Sequence, residues 1–335
     1  MKAMVVGTPR GLDRLRIEDR PDPGHPGPGE IRVAVHGSSL NFHDYGVVSG
    51  IMPCGDGRIP LADGGGVVEA VGEGVHEFAV GDAVVSCFFP AWQAGPPIIG
   101  DFSGTPGDGI DGFAQEYVVR PATAFTRAPK GYDAVEAATI TTAGLTAWRA
   151  LVVDGQLKAG DTVLLLGTGG VSIWALQIAK AMGARVAITS SSDEKLERAR
   201  ALGADFTLNY RSEANWGRAI RDWTGGIGVD HVVEVGGPGT LAQSIEAVRV
   251  GGHISLIGVL TGVGGEVPTA ALMGRQARLQ GLIVGSRADQ QAFVAALEAT
   301  GIRPVVDRRF GLEQLADAFR YEESGSHFGK IGVEW

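Results

Sequence analysis

The chain has 335 residues, enough for two domains with cores of their own, and hydrophobic residues make up 44% of it. The net charge of -9, with no lysine- or arginine-rich block, argues against nucleic acid and anionic membrane surfaces as partners. Two cysteines, Cys54 and Cys87, are too few for a disulfide framework or a four-cysteine zinc site.

The opening residues, MKAMVVGTPRGLDRL, lack the apolar core of a signal peptide. No uninterrupted apolar run approaches the length that a membrane-spanning helix needs. We therefore expect a cytoplasmic location and no membrane partner.

The first third of the chain is typical of strands joined by glycine turns, and the chain holds 52 glycines in all. The predicted strands cover residues 31–40, 66–75, 82–89 and 113–119. Residues 90–112 are rich in Pro and Gly and show no periodicity. A connection of that length is either a functional lid or a mobile loop.

From about residue 124 the pattern changes to alternating helices and strands. Helices are predicted at 133–152, 171–183, 193–203, 213–223, 239–249, 288–300 and 312–321. Strands are predicted at 162–167, 185–190, 205–209, 229–235, 251–258, 278–285 and 330–335. In residues 162–285 this order predicts an α/β fold with a doubly wound parallel sheet and right-handed crossovers.

The loop GTGGVS, residues 167–172, follows a buried strand and opens a helix, as dinucleotide-binding loops do. Gly167 would make the tight turn, and Gly169 would let the backbone approach a pyrophosphate at the helix N-terminus. The third position of the pattern is Ser172 instead of glycine, which weakens the match.

The end of the next strand indicates which nicotinamide cofactor is bound. An acidic residue there would bind a ribose 2′-hydroxyl and favour NAD(H). The sequence has hydroxyl residues instead, including Ser190 and Ser191, with Lys195 one helical turn later. Hydroxyls and an ammonium group suit a 2′-phosphate, so the sequence favours NADP(H) over NAD(H).

The stretch SLNFHDYG, residues 38–45, gathers four polar side chains: Asn41, His43, Asp44 and Tyr45. By itself it is compatible with the start of a metal site, with a proton-handling active site or with a polar loop. His43 is more typical of a surface or packing residue than of a catalyst.

Several segments in order resemble the medium-chain dehydrogenase/reductase superfamily: PGPGEIRVAVHGSSLNFHD, GGVVEAVGEGVHEFAVGDAV, TTAGLTAWRAL, LLLGTGGVSIWALQIAKAMGARV, ERARALGAD and FGKIGV. The resemblance runs over essentially the whole chain. It implies a GroES-like catalytic domain, residues 1–123 and 287–335, and a Rossmann domain, residues 124–286, with the active site between them.

The zinc-dependent alcohol dehydrogenases of this superfamily carry a catalytic Cys, His, Cys set. By resemblance, those three positions map to Asn41, Ala62 and Thr142. None of the three is a thiolate or an imidazole, which are the usual zinc ligands with carboxylates. The structural-zinc cysteines are missing too, so we expect no metal.

The Asn-Phe-x-Asp pattern at 41–44 is similar to that of the zinc-free quinone oxidoreductases and 2-enoyl reductases. The resemblance implies that Asn41 and Asp44 lie near the nicotinamide. Tyr45 is the candidate proton donor, because a phenol with a pKa near 10 is neutral and can donate at pH 7. The alternative is a buried structural tyrosine, since the nearby tyrosine of several relatives lies further along the chain.

The resemblance also implies the remaining cofactor contacts. The pyrophosphate loop comprises Gly167, Thr168, Gly169, Gly170 and Val171, and the 2′-phosphate group comprises Ser190, Ser191, Lys195 and Tyr210. The residues expected beside the nicotinamide, its ribose or the covering segment are Thr142, Thr146, Gly258, Val259, Leu260, Ile283, Gly285, Phe328 and Lys330.

Four aromatic residues on or beside the predicted active-site loops would line an apolar substrate pocket or belong to the domain core: Phe42, Phe88, Phe89 and Trp92. The expected substrate is a small apolar carbonyl or quinone. A homodimer is expected through the edge strand at 278–285, because an uncovered apolar edge strand promotes aggregation.

Together these features predict an NADPH-dependent, zinc-independent oxidoreductase that transfers hydride to a quinone or an α,β-unsaturated carbonyl. The first alternative is a zinc-free alcohol dehydrogenase or ketone reductase of the same superfamily. The second is a protein that binds NADPH without turnover, since members of the superfamily have been recruited to such roles.

Overall fold

The computed structural model describes all 335 residues, and the chain forms two compact units. The first unit combines Met1–Leu145 with Val284–Trp335, and the second is Thr146–Ile283. No helix is both long enough and apolar enough to cross a membrane.

The first unit is rich in β-structure. Its strands are β1 (Lys2–Val6), β2 (Leu15–Asp19), β3 (Glu30–Ser39), β4 (Gly65–Val71), β5 (Ala83–Ser86), β6 (Tyr117–Pro121) and β7 (Phe125–Arg127). Two helices belong to it, α1 (Phe42–Ser49) and α2 (Ala134–Thr139). The helical path continues through π-helical turns at Ile140–Gly144 and Arg149–Val153, which flank α3 (Leu145–Trp148).

The second unit alternates strands and helices. Its strands are β8 (Thr162–Leu166), β9 (Arg185–Ser190), β10 (Phe206–Asn209), β11 (Val229–Glu234), β12 (Val248–Leu256) and β13 (Arg278–Gly281). Its helices are α4 (Gly170–Ala181), α5 (Asp193–Ala201), α6 (Trp216–Trp223), α7 (Pro238–Ala247) and α8 (Thr269–Arg275).

The chain then returns to the first unit. The returning elements are α9 (Arg287–Thr300), β14 (Val306–Gly311), α10 (Leu315–Glu323) and β15 (Lys330–Glu334). Strand β15 pairs antiparallel with β3 and parallel with β14, which completes a seven-stranded sheet in the order β14-β15-β3-β4-β5-β7, with β6 also paired to β3. Lys330–Glu334 therefore belongs to the same sheet as β3, the strand that leads into α1.

The six strands of the second unit form a parallel sheet in the order β10-β9-β8-β11-β12-β13. Strand β8 is buried almost throughout, because helices cover parallel sheets on both faces and its residues VLLL are all apolar. All six carboxyl ends meet at one edge, where ligands of such sheets bind. The predicted doubly wound fold and the β-rich first domain are confirmed.

The division between the units falls after Leu145, later than the predicted residue 123. Helix α2 packs on β3, β4, β5 and β15, so this stretch belongs with the first unit. The second division follows Ile283, close to the predicted residue 286. The elements α1, α8, β1, β2, β7 and β14 were not predicted from the sequence, and the strand predicted at 278–285 ends at Gly281.

Candidate functional site

A buried carboxylate, Asp63, is the hub of a polar network in the first unit. It has no exposed surface and accepts hydrogen bonds from Ser39 Oγ (2.5 Å), Asn41 Nδ2 (2.9 Å) and Thr142 Oγ1 (2.6 Å). Lys330 Nζ lies 3.7 Å from its Oδ2. Three donors and a nearby ammonium stabilise a charge that would otherwise be costly to bury.

The amide of Asn41 is fully engaged in this network. Its Nδ2 donates to Asp63 and, at 3.1 Å, to Asp44 Oδ2, while its Oδ1 accepts from Lys330 Nζ at 2.7 Å. Lys330 also donates to the Leu40 carbonyl and is 3% exposed. The carboxylates therefore fix the orientation of Asn41, and its amide protons point into the protein.

Asp44 closes the first turn of α1. Its Oδ2 accepts from the backbone N–H of Asn41 at 3.1 Å, which is the return contact of a capping box, and its Oδ1 accepts from Ala62 N at 2.9 Å. Burial, followed by the charge of Asp63, raises the pKa of Asp44 to about 7. Burial raises the pKa of Asp63 as well.

A third carboxyl, Glu322 of α10, belongs to the same charge cluster. The residue keeps part of its surface exposed, but its Oε2 is buried and makes no hydrogen bond. Burial raises its pKa to about 8, with Lys330 acting in the opposite direction and Asp44 and Asp63 in the same direction. Three carboxyls face one ammonium group, so the folded protein retains protons there at neutral pH.

Tyr45, the predicted proton donor, lies on the outer side of α1. Its hydroxyl donates to Glu323 Oε1 at 2.7 Å, and this hydrogen bond is the main reason why its pKa is raised. Phe42 is 53% exposed and stacks on Tyr45 with a centroid distance of 5.8 Å. The single phenol proton is therefore directed to a surface carboxylate.

Phe88, Phe89 and Trp92 pack together in the interior of the first unit, each no more than 4% exposed. Phe102, from the long connection between β5 and β6, joins them: its ring is 6.3 Å from Phe88 and from Phe89. Of the four residues predicted to line the substrate pocket, three thus form an aromatic cluster, while Phe42 lies outside it.

The predicted lid or mobile loop at 90–112 is tied down over its second half. Arg58 donates to the Gly109 carbonyl and to Asp111, each at 3.0 Å, and Ile59 N donates to Asp111 at 3.2 Å. Backbone hydrogen bonds within 102–110 add a compact turn. This segment carries Phe102 and Asp108 into the aromatic cluster.

His43 lies at the edge of this cluster. Its ring is 4.6 Å from Phe102 and 5.5 Å from Phe88, measured between centroids. Its Nε2 is buried 3.3 Å from Asp108 Oδ2, yet the two atoms do not meet in hydrogen-bond geometry. Burial lowers the pKa of His43 to about 4 and raises that of Asp108.

The glycine loop of the second unit has the form that the sequence predicts. Gly167 adopts a φ of +72°, which suits glycine, and the space where a Cβ of Gly169 would stand is open. Helix α4 begins at Gly170 without a side-chain cap, so its first N–H groups face that opening. Ser172 Oγ donates to the Leu166 carbonyl at 2.7 Å, so the serine braces the turn.

The predicted 2′-phosphate residues lie at the end of β9, in the segment that follows it and directly after β10. Ser190 is 3% exposed, and its Oγ accepts from Ser192 N at 3.3 Å. Tyr210 N donates to the Ser190 carbonyl at 3.1 Å, so Tyr210 begins the loop after β10 beside it. Lys195 lies in the first turn of α5 with partial exposure. Backbone pairing therefore brings the predicted group to one place at the carboxyl edge.

Among the other predicted cofactor residues of the second unit, Thr146 lies in α3 and the rest follow strand ends at the same edge. Three of them are large apolar residues that remain about half exposed: Val259, Leu260 and Ile283. Thr146 and Thr168 are buried. In the first unit, Gly285 and Phe328 are buried, and Thr142 and Lys330 are held by the Asp63 network.

Sequence reasoning missed three residues of the buried network: Ser39, Asp63 and Glu322. Asp63 carried a signal, because it is a lone carboxylate in the apolar run IPLADGGG, next to a position considered only as a zinc ligand. The preceding Leu61 has a φ of +76°, a conformation that is rare for a bulky residue and is often found at functional sites.

No group of three or more His, Cys, Asp or Glu side chains in the protein is arranged to hold a metal ion.

Two family models match the chain. Residues 27–130 match the alcohol dehydrogenase GroES-like domain, and residues 170–299 match the model described as zinc-binding dehydrogenase. A curated relative, a zinc-type alcohol dehydrogenase-like protein of Schizosaccharomyces pombe, is 41% identical over 329 residues, 96% of this chain and 95% of the relative.

Solved structures with the same fold differ in their cofactors. An NAD-dependent alcohol dehydrogenase is 35% identical with a TM-score of 0.90, over 100% of both chains. A quinone oxidoreductase of Pseudomonas syringae pv. Tomato is 26% identical with a TM-score of 0.83, covering 100% of this chain and 99% of its own. A mycobacterial protein complexed with NADPH is 28% identical with a TM-score of 0.83, over 100% of both chains.

Proposed function

The chain belongs to the medium-chain dehydrogenase/reductase superfamily of nicotinamide-dependent oxidoreductases, and we propose that it reduces quinones or α,β-unsaturated carbonyls with NADPH and without zinc. The observation that carries the proposal is the hydrogen-bonded network around Asp63. It occupies the positions at which the zinc enzymes of this superfamily hold their metal.

The residues at these positions do not fit a catalytic zinc ion, which needs three protein ligands with an open fourth position. Asn41 uses its amide for Asp44, Asp63 and Lys330. Ala62 has no ligand atom, and a threonine hydroxyl bound to Asp63 replaces the second thiolate. Asp63 itself is surrounded by donors, so no step of the mechanism goes through a metal.

The chemistry of the acceptor follows from that lack of a Lewis acid. Hydride addition to a saturated ketone leaves a localised alkoxide, which a metal or a strong acid group normally stabilises. Addition to a quinone or an enone leaves a delocalised phenolate or enolate, which a few hydrogen-bond donors can stabilise. A conjugated acceptor therefore fits a site without a Lewis acid better than a saturated ketone does.

The second unit suits NADPH. When bound, the cofactor supplies the hydride; Gly167, Gly169 and the first N–H groups of α4 would hold its pyrophosphate. Ser190 and Lys195 would contact the 2′-phosphate, because the end of β9 has hydroxyl groups and no carboxylate. The similar NADPH-bound mycobacterial protein supports this choice, and the similar NAD-dependent enzyme is the reason to test it.

Alcohol oxidation with ketone reduction is the second candidate function. Two similar proteins favour it. The S. pombe relative is described as a zinc-type alcohol dehydrogenase-like protein, and one of the similar solved structures is an NAD-dependent alcohol dehydrogenase. The polar network contains no group that distinguishes the two reactions by itself, so substrate tests must separate them.

The test is NADPH oxidation by chelator-treated protein whose zinc content has been measured. We expect turnover of a quinone and a 2-enone, with saturated ketones at least tenfold slower, because only the conjugated products delocalise their charge. Protein reloaded with zinc is the control and should show the same rates. Ketone turnover coupled to alcohol oxidation, or a rate that depends on zinc, would overturn the proposal.

The proposal extends to the homodimer and the cytoplasmic location that the sequence suggests. Strand β13 is the edge of the six-stranded sheet, and its outer backbone groups have no strand partner. Ile283, directly after it, is 47% exposed, as an apolar residue at a subunit interface would be in an isolated chain.

A further inference from the structure

The strongest unassigned feature is the pair His43 and Asp108 in the first unit. Two independent segments bring the pair together: α1 carries the imidazole, and the loop that Arg58 ties down carries the carboxylate. Their side chains are 14% and 9% exposed, and Nε2 is 3.3 Å from Oδ2. The contact therefore depends on long-range packing of the loop against α1.

The amide and hydroxyl protons of the neighbouring side chains are already engaged in hydrogen bonds. The amide protons of Asn41 go to Asp44 and Asp63, the hydroxyl proton of Thr142 goes to Asp63, and that of Tyr45 goes to Glu323. His43 differs from these residues, because its Nε2 makes no hydrogen bond. Among the polar side chains of residues 41–45, His43 is therefore the one with a polar atom that makes no hydrogen bond.

The position of Asp108 determines which nitrogen of His43 can react. A carboxylate beside Nε2 favours the tautomer with its hydrogen on Nε2, which leaves the lone pair on Nδ1. Because Nε2 is fully enclosed, the exposed part of the side chain lies on its other atoms, which include Nδ1. One nitrogen lies beside a carboxylate and the other is left to exchange protons, as in catalytic acid–base pairs.

We propose that His43 is the acid–base catalyst of this enzyme and that Asp108 positions its ring. When bound, NADPH would supply the hydride, with both electrons, and the acceptor oxygen would then carry the negative charge that a proton must neutralise. Nδ1 of the neutral ring takes a proton from solvent and passes it to that oxygen, so the products are the reduced acceptor and NADP⁺ and the ring returns to its neutral form. In alcohol oxidation the same nitrogen takes the hydroxyl proton.

The surroundings suit this role and indicate the class of substrate. Phe88 and Phe102 flank the ring, so water is scarce there and a flat apolar carbonyl compound could lie against the aromatic edge. Burial keeps the His43 ring neutral in the free protein at pH 7, in the form that accepts a proton. The inference rests on the proposed oxidoreductase activity but holds for conjugated and for saturated acceptors.

The test is His43→Ala, assayed with whichever acceptor the wild-type protein reduces. We expect kcat to fall by about 100-fold, within the range for loss of a general acid, while the Kd for NADPH changes less than twofold. Imidazole in the buffer should restore part of kcat, because it can enter the space between Phe88 and Phe102. His76→Ala, which removes an exposed histidine, is the matched control and should show neither loss nor rescue.

His43→Phe retains the aromatic volume and covers the case in which the alanine variant fails to fold. It should lose kcat to the same extent without rescue. Asp108→Asn should lower kcat severalfold in the wild-type background but not in His43→Phe, since it acts through the ring. Wild-type kcat in a folded His43 variant, or loss without imidazole rescue in folded His43→Ala, would overturn the inference. A wild-type protein that reduces no acceptor would instead refute the proposed function.

Discussion

At the scale of single residues, Asp63 organises the site more than any predicted residue does. It accepts three hydrogen bonds from two separate segments, Ser39 and Asn41 on one and Thr142 on the other, and lies beside Lys330. A carboxylate can accept all of them because it has two oxygens and no hydrogen to donate. The site therefore depends on a residue that no motif marks.

Replacing Asp63 with Asn should destabilise the protein by about 3 kcal/mol, the scale for breaking a buried charged pair. The amide has one acceptor oxygen for three donors, so at least one buried donor loses its partner, and Lys330 loses its nearest charge. Urea unfolding at pH 7 measures the change.

Asp317→Asn is the control for Asp63→Asn. It makes the same chemical change in an ion pair on the surface of α10, where the carboxylate side chain is 65% exposed, and should leave the urea midpoint unchanged. A loss below about 1 kcal/mol in Asp63→Asn would show that the nearby carboxyls replace Asp63 as the partner of Lys330.

At the scale of elements, the sequence predicted the second unit better than the site in the first. Strand β8 is a continuous apolar run, strands alternate with helices from β8 to β13, and such local patterns determine this fold. Helix α1 was missed because it has eight residues and a weak apolar stripe. Its capping pair, Asn41 and Asp44, was instead interpreted as chemistry.

The contacts of the site could not be predicted because they are nonlocal. Lys330 meets Asn41 across 289 positions of the chain, through the pairing of β15 with β3. The resemblance suggested that Lys330 covers the cofactor, whereas its ammonium group is buried against Asn41 and the Leu40 carbonyl. Only the register of that sheet determines which residues meet.

The segment from the end of β9 to α5 gives a test of cofactor choice. Lys195→Gln should weaken NADPH binding by about tenfold or more, because a charge-assisted hydrogen bond to the 2′-phosphate is worth roughly 1.5–3 kcal/mol. NADH binding should not change, since NADH lacks that phosphate. Nicotinamide fluorescence titrations measure both affinities.

Lys158→Gln is the matched control for Lys195→Gln, because it removes the same charge just before β8, at the opposite edge of the sheet. It should leave both affinities unchanged. Equal weakening of NADPH and NADH binding in Lys195→Gln would mean that the lysine contacts the shared pyrophosphate, and the preference for NADPH would then need another origin.

At the scale of the whole molecule, the buried carboxyls link stability to pH. Folding raises the pKa of Asp44 to about 7 and that of Glu322 to about 8, so the folded state holds protons that the unfolded chain has released. Stability therefore falls as pH rises through these values. His43 and His253 have the opposite effect on stability. Their pKa is about 4 in the folded protein, so stability rises with pH up to about 6.5, the ordinary pKa of histidine, and the histidines have no further effect above it.

Between pH 6.5 and 8.5 the two histidines no longer contribute. We expect the free energy of unfolding to fall there by about 1–2 kcal/mol, since one proton contributes at most about 1.4 kcal/mol per pH unit. Urea unfolding at half-unit intervals of pH measures the slope.

Glu322→Gln should flatten most of this slope above pH 7, because the amide does not titrate. Glu323→Gln, its exposed neighbour, should leave the slope intact. Stability that stays level or rises over this interval would show that Asp44 and Glu322 are already ionised in the folded protein, with Lys330 as their shared counter-charge.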